Sequence, residues 1–364
     1  MTNKRLFLDI HAIQTMPPSN VNRDDTGSPK TAQYGGVIRS RVSSQSWKRA
    51  IREYFKENLD KSNLGVRSLN IVKYIADKVV SKDSTIEYEK AMKLTNEMLN
   101  NGGIKTTKDY LMKALFFLGD YQADKLADLV IEGKIKEKTY IQEILKENPA
   151  IDIALFGRMV ADDPSLNEDA SCQVAHSIST HAVQTEFDFF TASDDLQKED
   201  NAGAGMLGTV EYNSSTLYRY ANIAIHELES QLLNNRKSII NAIKLFVEAF
   251  TKSLPTGKVN TFANQTLPNA ILITLREDRP VSLVTAFEKP VKSNDGYVHK
   301  SIENMVEEYE KVKKFVKEPI YSVLLTLNNE NVGNYNILKL DNFENLLNDL
   351  GEKLNELILD QQGE

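Results

Sequence analysis

The chain opens on an apolar stretch interrupted by Asp9 and His11. Leu6, Phe7, Leu8, Asp9, Ile10 and His11 predict a strand, and Pro17-Pro18 through Gly27 predict a loop rich in turn formers. A short basic strand follows Gly35-Gly36. Trp47, Ala50, Ile51, Tyr54 and Phe55 then recur at spacings of three and four, the period of a helix. Ser43 or Ser44 can cap that helix by accepting from its first free N–H groups. Gln45, Arg49, Arg52 and Lys56 fall opposite the apolar stripe, so the helix has a core side and a cationic side.

From Leu69 to about Asn148 the period stays helical. Helices are expected at Ile71 to Val80, Ile86 to Leu99, Lys108 to Leu118, Ala123 to Ile131 and Tyr140 to Glu147, separated by glycines. Beyond Pro149 β-branched and aromatic residues predict strands at Cys172 to His181, Val183 to Phe190 and Thr209 to Ile225. Asp194 to Gly208 reads as a long projecting connection, polar and then Gly/Ala-rich, ending in Met206-Leu207. Helices at Asn235 to Ser253, Val298 to Val316 and Phe343 to Leu359 alternate with strands at Ala270 to Leu275, Pro280 to Phe287 and Ile320 to Leu327. This order predicts an α+β fold, a ferredoxin-like or RRM-like sheet carrying a large helical insertion.

Composition narrows the class. The chain is 41% hydrophobic and 26% charged with 17 Gly and 10 Pro, which excludes collagenous, low-complexity and wholly disordered proteins. The one cysteine, Cys172, has no partner for an internal disulfide and suits a reducing cytoplasm. The apolar stretch in Met1 to Ile13 is interrupted by Asp9 and His11 and reads as a strand rather than a secretion signal. No apolar run approaches the roughly 20 residues of a spanning helix.

The net charge of −7 argues against a protein that coats nucleic acid with its whole surface. Locally the balance reverses. Between Pro29 and Lys56, Lys30, Arg39, Arg41, Lys48, Arg49, Arg52 and Lys56 oppose Glu53 alone, seven cations against one anion, or +6. This segment is the candidate contact for phosphates or an acidic partner.

Other chemistry is thinner. Asp24 and Asp25 with Glu186 or Asp188 would suit a hard cation, although paired Asp residues beside Asn22 and Gly27 commonly serve a turn. His176 and His181 lie five apart and point to opposite faces of a strand, which makes them poor joint metal ligands. Gly203, Gly205 and Gly208 lack the strand-to-helix setting of a dinucleotide fingerprint and no phosphate loop occurs, so nucleotide hydrolysis is not expected. Cys172 reads as a small buried residue. Met206-Leu207, at the end of a loop, suits packing on a neighbour or wedging between stacked bases, the plain alternative being that it folds back on its own domain.

A series of ordered motifs carries a resemblance. They begin with Asn22-Arg23-Asp24-Asp25, Gly35-Gly36 and the run Arg41 to Ala50. Asp152 to Met159, Ala175 to His181, Asp188 to Ala192, Asp194 to Gln197, Tyr218 to Asn222 and Ala286 to Lys289 complete the series. Together they resemble the CasC family, the repeated backbone subunit of the type I-E CRISPR Cascade surveillance complex, over nearly the whole chain. The resemblance implies an RRM-like palm (1–59, 149–193 and 209–364), a helical finger insertion (60–148) and a projecting thumb hairpin (194–208). It also implies copies stacked head to tail along a guide RNA (crRNA), pairing of that guide with a target DNA strand, and other Cascade subunits as partners, in the cytoplasm, without catalysis, cofactor or metal. RNA contacts would fall on Arg23, Lys30, Arg41, Ser43, Gln45, Lys48, Arg49, Arg52 and Lys258. Met206 and Leu207 would displace a base, with Met159 on the finger side as a second wedge. The chain departs from its relatives at Val37-Ile38, where they are often more basic, which implies fewer phosphate contacts.

Two alternatives stay open. A metal-dependent ribonuclease, resembling the target-cutting backbone subunits of type III CRISPR complexes, would use Asp24 or Asp25 as its acid. A purely structural oligomer would carry no nucleic acid.

Overall fold

The computed structural model describes residues 5–192, 206–233, 235–328 and 337–362. The chain begins with β1 (Phe7–Ser19), β2 (Thr31–Tyr34), β3 (Val37–Val42), α1 (Ser44–Asn58) and β4 (Gly65–Ser68). A helical region follows with α2 (Ile71–Lys82), α3 (Tyr88–Asn101), β5 (Phe116–Gly119), α4 (Asp120–Ile131), α5 (Lys138–Lys146) and α6 (Ile151–Phe156). Strands return as β6 (Cys172–Val174), β7 (Ser177–Ser179), β8 (Glu186–Ala192) and β9 (Met206–Ala224). Then come α7 (Ile225–Gln231), α8 (Arg236–Lys252), α9 (Val259–Phe262), β10 (Ala270–Arg276), α10 (Val298–Val312), β11 (Tyr321–Thr326), β12 (Leu338–Lys339) and α11 (Phe343–Gln362).

One large mixed sheet runs in the order β12-β11-β10-β1-β9-β7-β3-β2, with β6 and β8 also paired to β9. β1 is central because its side chains are apolar on one face and shielded on the other. Leu8, Ile10 and Ala12 join the core built with α1, α8 and α11, while Ile13 joins the core under α10. Asp9 and His11, the alternate positions, are buried on that second side. The helical region has its own core around Ile75, Met98, Leu126 and Leu145, and β4 and β5 form a separate two-stranded ribbon beside it.

Several local expectations give way to tertiary partners. Pro17 and Pro18 do not end β1. The strand continues to Ser19, and its register with β9 shifts between Met16 and Ser19, where two residues without N–H groups cannot hold a ladder. Lys108 to Leu118 is not a helix. Tyr110 has φ 60, Thr107 N–H donates to Leu111 O, and Phe116 to Gly119 pairs with β4, since a short apolar run fits a buried strand as well as a helix. Pro280 to Phe287 is not a strand, because the N–H groups of Val281 and Leu283 donate to the Asp9 carboxylate and the Tyr218 hydroxyl, leaving a short 3₁₀ turn at Val284–Phe287. Cys172 to His181 is two strands, both paired to β9.

Candidate nucleic-acid interface

Helix α1 is fixed before any of its cations is placed. Ser43 caps it, with Ser46 N–H donating to the Ser43 hydroxyl at 3.3 Å, and Ser43 N–H donates to Asn22 Oδ1 at 2.8 Å. Trp47, Ala50, Ile51 and Phe55 are buried. Trp47 Nε1 donates to Ser177 Oγ at 2.9 Å, and the buried Arg219 guanidinium lies 3.7 Å from the Trp47 ring and 4.3 Å from Phe250. Burial pushes the Arg219 pKa down to about 9. One side of α1 is therefore bolted to sheet and α8, and the other is left to solvent.

That free side borders two grooves. The first, about 1060 Å³, has Gln45, Lys48, Arg49 and Lys56 along α1, and Leu115, Phe117, Phe156 and Met159 contribute apolar surface to it. Leu115 is 52% exposed and Met159 82%, so both present hydrocarbon to the groove. Arg67 from β4 also lines it, together with the acidic Glu53, Glu168 and Asp169. The second groove, about 1030 Å³, brings Arg23, Arg49 and Lys258 together beside the Asn22 to Gly27 loop. Arg49 borders both. Lys48 and Arg49 make no ion pair among the described residues, Lys48 resting 5.6 Å from the Phe156 ring. The pair Lys56–Glu53, at 2.9 Å, is exposed and weak.

Lys30 and Arg41 sit together in a separate shallow recess. Arg41 Nε donates to Thr31 O at 3.1 Å, and Nη1 donates to His176 Nδ1 at 3.1 Å, since a guanidinium has no acceptor. Burial, with Arg41 and Lys30 adding to it, holds the His176 pKa below its usual value.

Three other cations, Arg39, Arg52 and Arg158, have other work. Arg39 belongs to the basic segment by sequence but is fully buried, donating to the carbonyls of Tyr34, Ser179 and Phe287, and leaves the surface patch. Arg52 Nε lies 3.1 Å from Asp152 Oδ2, Nη2 donates to Gly65 O at 3.3 Å, and the guanidinium packs 4.4 Å from the Phe117 ring. Its side chain is only 18% exposed and that of Asp152 3%. Arg158 is buried among the carbonyls of Leu145 and Leu166, and burial pushes its pKa down to about 10.

The remaining candidates are accounted for as follows. Asp24 Oδ1 accepts from Thr26 N–H, Thr26 Oγ1 and Ser28 N–H, and the Thr26 hydroxyl holds this carboxyl below its usual range. His181 is buried, stacked 3.7 Å from Tyr297, and accepts from Thr216 N–H, away from His176. Cys172 is buried, which pushes its thiol pKa up. Among the described residues no three His, Cys, Asp or Glu side chains form a metal-holding group, and no helix is long and apolar enough to cross a membrane. Met206 and Leu207 lie, by backbone, in β9 opposite Ala192 and Thr191. Their side chains, and residues 194–205 of the expected thumb, lie outside the described residues.

Sequence reasoning missed Arg67, Leu115, Phe117 and Phe156. Phe156, adjoining Gly157 in a quoted motif, was legible as a residue but not as a wall. The other three had no local signal, because only the pairing of β4 with β5 carries Arg67 and Phe117, with Leu115 just before β5, to α1.

Residues 8–353 match the family model described as CT1975-like protein. A chain of a CRISPR RNA-guided surveillance complex, pre-nicking, is similar at 31% identity with a TM-score of 0.84, over 96% of this chain and 100% of that one. A chain of a CRISPR RNA-guided surveillance complex is similar at 28% identity with a TM-score of 0.63, over 95% of this chain and 99% of that one. No curated protein matches. With the family model spanning almost the entire chain, this protein belongs to the CT1975-like protein family.

Proposed function

We propose that the chain is a guide-RNA-binding backbone subunit of a type I-E CRISPR interference complex, polymerising head to tail along crRNA in the cytoplasm and holding it open for pairing with target DNA. The observation that carries this reading is the groove beside α1, with Lys48 and Arg49, neither in an ion pair among the described residues, on one side and the exposed hydrocarbon of Leu115 and Met159 in the same groove. Cations attract backbone phosphates of any sequence, and apolar side chains accept the faces of unstacked bases. Such a surface grips without reading, and sequence is left to base pairing. The two similar chains come from RNA-guided surveillance complexes, which supports the guide as ligand and other subunits as neighbours.

In this reading the large sheet with α1, α8 and α10 is an RRM-like palm, the α2 to α5 region is the finger, and the β8–β9 ribbon is the root of the thumb, with Met206 and Leu207 at the start of β9 as the base-displacing pair. The subunit binds and does not cut. The use of Asp24 Oδ1 by three donors of its own loop supports binding over the metal-dependent ribonuclease reading.

Purification of the chain with and without a co-expressed guide tests this. Retention of RNA of unrelated sequences, intact in Mg²⁺, is the expected result. RNA-free protein in both preparations contradicts it, and Mg²⁺-dependent cleavage lost in Asp24→Ala or Asp25→Ala favours the ribonuclease.

A further inference from the structure

The groove beside α1 has a second cation-bearing element. Arg67 stands on β4, opposite Phe117 of β5 in the antiparallel register, and is exposed. Its guanidinium makes no hydrogen bond or ion pair among the described residues. An unpaired Arg beside Leu115 and Met159 is unlike Arg52, whose planar fork is committed to Asp152, Gly65 and Phe117.

The commitment of Arg52 has a geometric purpose. Asp152 Oδ1 accepts from Gly65 N–H at 2.8 Å while Oδ2 meets Arg52, which itself donates to Gly65 O. Both backbone groups of Gly65, the first residue of β4, are thus held between α1 and α6. Only Val66 separates this clamp from Arg67 along β4. Burial works to raise the Asp152 pKa and Arg52 to lower it, so removing the guanidinium leaves a buried carboxylate without compensation.

We propose that Arg67, presented to the α1 groove by β4, is a contact for the phosphate backbone of single-stranded RNA, and that Arg52, which clamps Gly65 with Asp152, is a positioning residue rather than a contact. This rests on the RNA-binding reading above. A guanidinium on a fixed strand meets phosphate at little further ordering cost. The two roles separate in salt dependence, because only a residue that neutralises a phosphate contributes to the slope of log K against log salt.

The test uses the full chain and a fluorescently labelled single-stranded RNA of mixed sequence, titrated at several salt concentrations. Arg67→Ala is expected to flatten the slope by about 0.7, the contribution of one contact to a single strand, and Arg67→Lys to keep it. Arg52→Gln is expected to weaken binding and keep the wild-type slope. Arg67 is exposed, so Arg67→Ala decides the contact even if Arg52→Gln loosens the fold. A wild-type slope in Arg67→Ala, or a slope lost equally in Arg67→Lys, overturns the assignment, as does a slope lost in a folded Arg52→Gln. If wild type and Lys48→Ala alike show no salt-dependent binding, the RNA-binding reading itself falls and takes this assignment with it.

Discussion

Gly35 touches the backbone at Glu288. A Cβ on Gly35 would sit 1.6 Å from the Glu288 carbonyl oxygen, and its φ is +60. Arg39, five residues from Tyr34 whose carbonyl it binds, also donates to Phe287 O. Two motifs far apart in sequence therefore meet as one joint that fixes the β2–β3 hairpin against the turn before α10.

Gly36, with φ +77, has open space where its Cβ would go. Ala at Gly36 is expected to cost about 1–2 kcal/mol from left-handed strain alone, whereas Ala at Gly35 must also displace backbone and is expected to cost roughly 3 kcal/mol or more. Urea midpoints of the two variants check this. Equal losses would contradict the close contact.

Arg219 ties α1 to the sheet through Trp47, with Gln14 Oε1 and Phe250 O as its acceptors, each at 2.5 Å. Arg219→Ala removes a packed side chain and strands the Gln14 oxygen, for an expected loss on the order of 3–5 kcal/mol. Thermal unfolding measures it, and a change under about 1 kcal/mol would show that the stack contributes little.

His11 and Asp9 tilt stability in opposite directions. Burial, with Arg276 adding to it, pushes the His11 pKa down from 6.5 to about 3, so this site's contribution is present above pH 6.5 and lost as pH falls toward 3. Burial pushes Asp9 up from 3.8 to about 7, against the hydrogen bonds of Tyr220 and Val281, so its contribution is present below pH 3.8 and lost as pH rises through 7. Between about pH 4 and 6.5 the slopes oppose. Asp9→Asn is expected to make the melting temperature rise with pH across that window, and His11→Gln to make it fall. Slopes of the same sign in both variants would contradict these assignments.

Much of the frame was legible in the sequence. Trp47, Ala50, Ile51 and Phe55 announced the buried face of α1 by spacing alone, and Ser43 its cap. The apolar stretches at the start of the chain and at Ala270 to Leu275 announced β1 and β10, the second buried along its whole length. What sequence could not show is the destination of a charge. Arg39, Arg52 and Arg49 look alike in one basic run. Only the fold sends the first under the β2–β3 hairpin and joins the second to Asp152, one hundred residues away. The third is left free among the described residues. Arg67 is the converse case, an unremarkable residue in sequence that strand pairing brings to the groove. The strand expected at Pro280 to Phe287 failed because its N–H groups are taken by side chains of β1 and β9.

Phosphate binding by α1 is tested most directly by the salt dependence of RNA binding in the double variant Lys48→Ala, Arg49→Ala. Both side chains border the groove and neither has an ion-pair partner among the described residues, so the fold is expected to survive. Loss of two single-strand contacts should flatten the slope of log K against log salt by about 1.4, equally for RNAs of unrelated sequence. A folded double variant with the wild-type slope would contradict α1 as the RNA-binding surface.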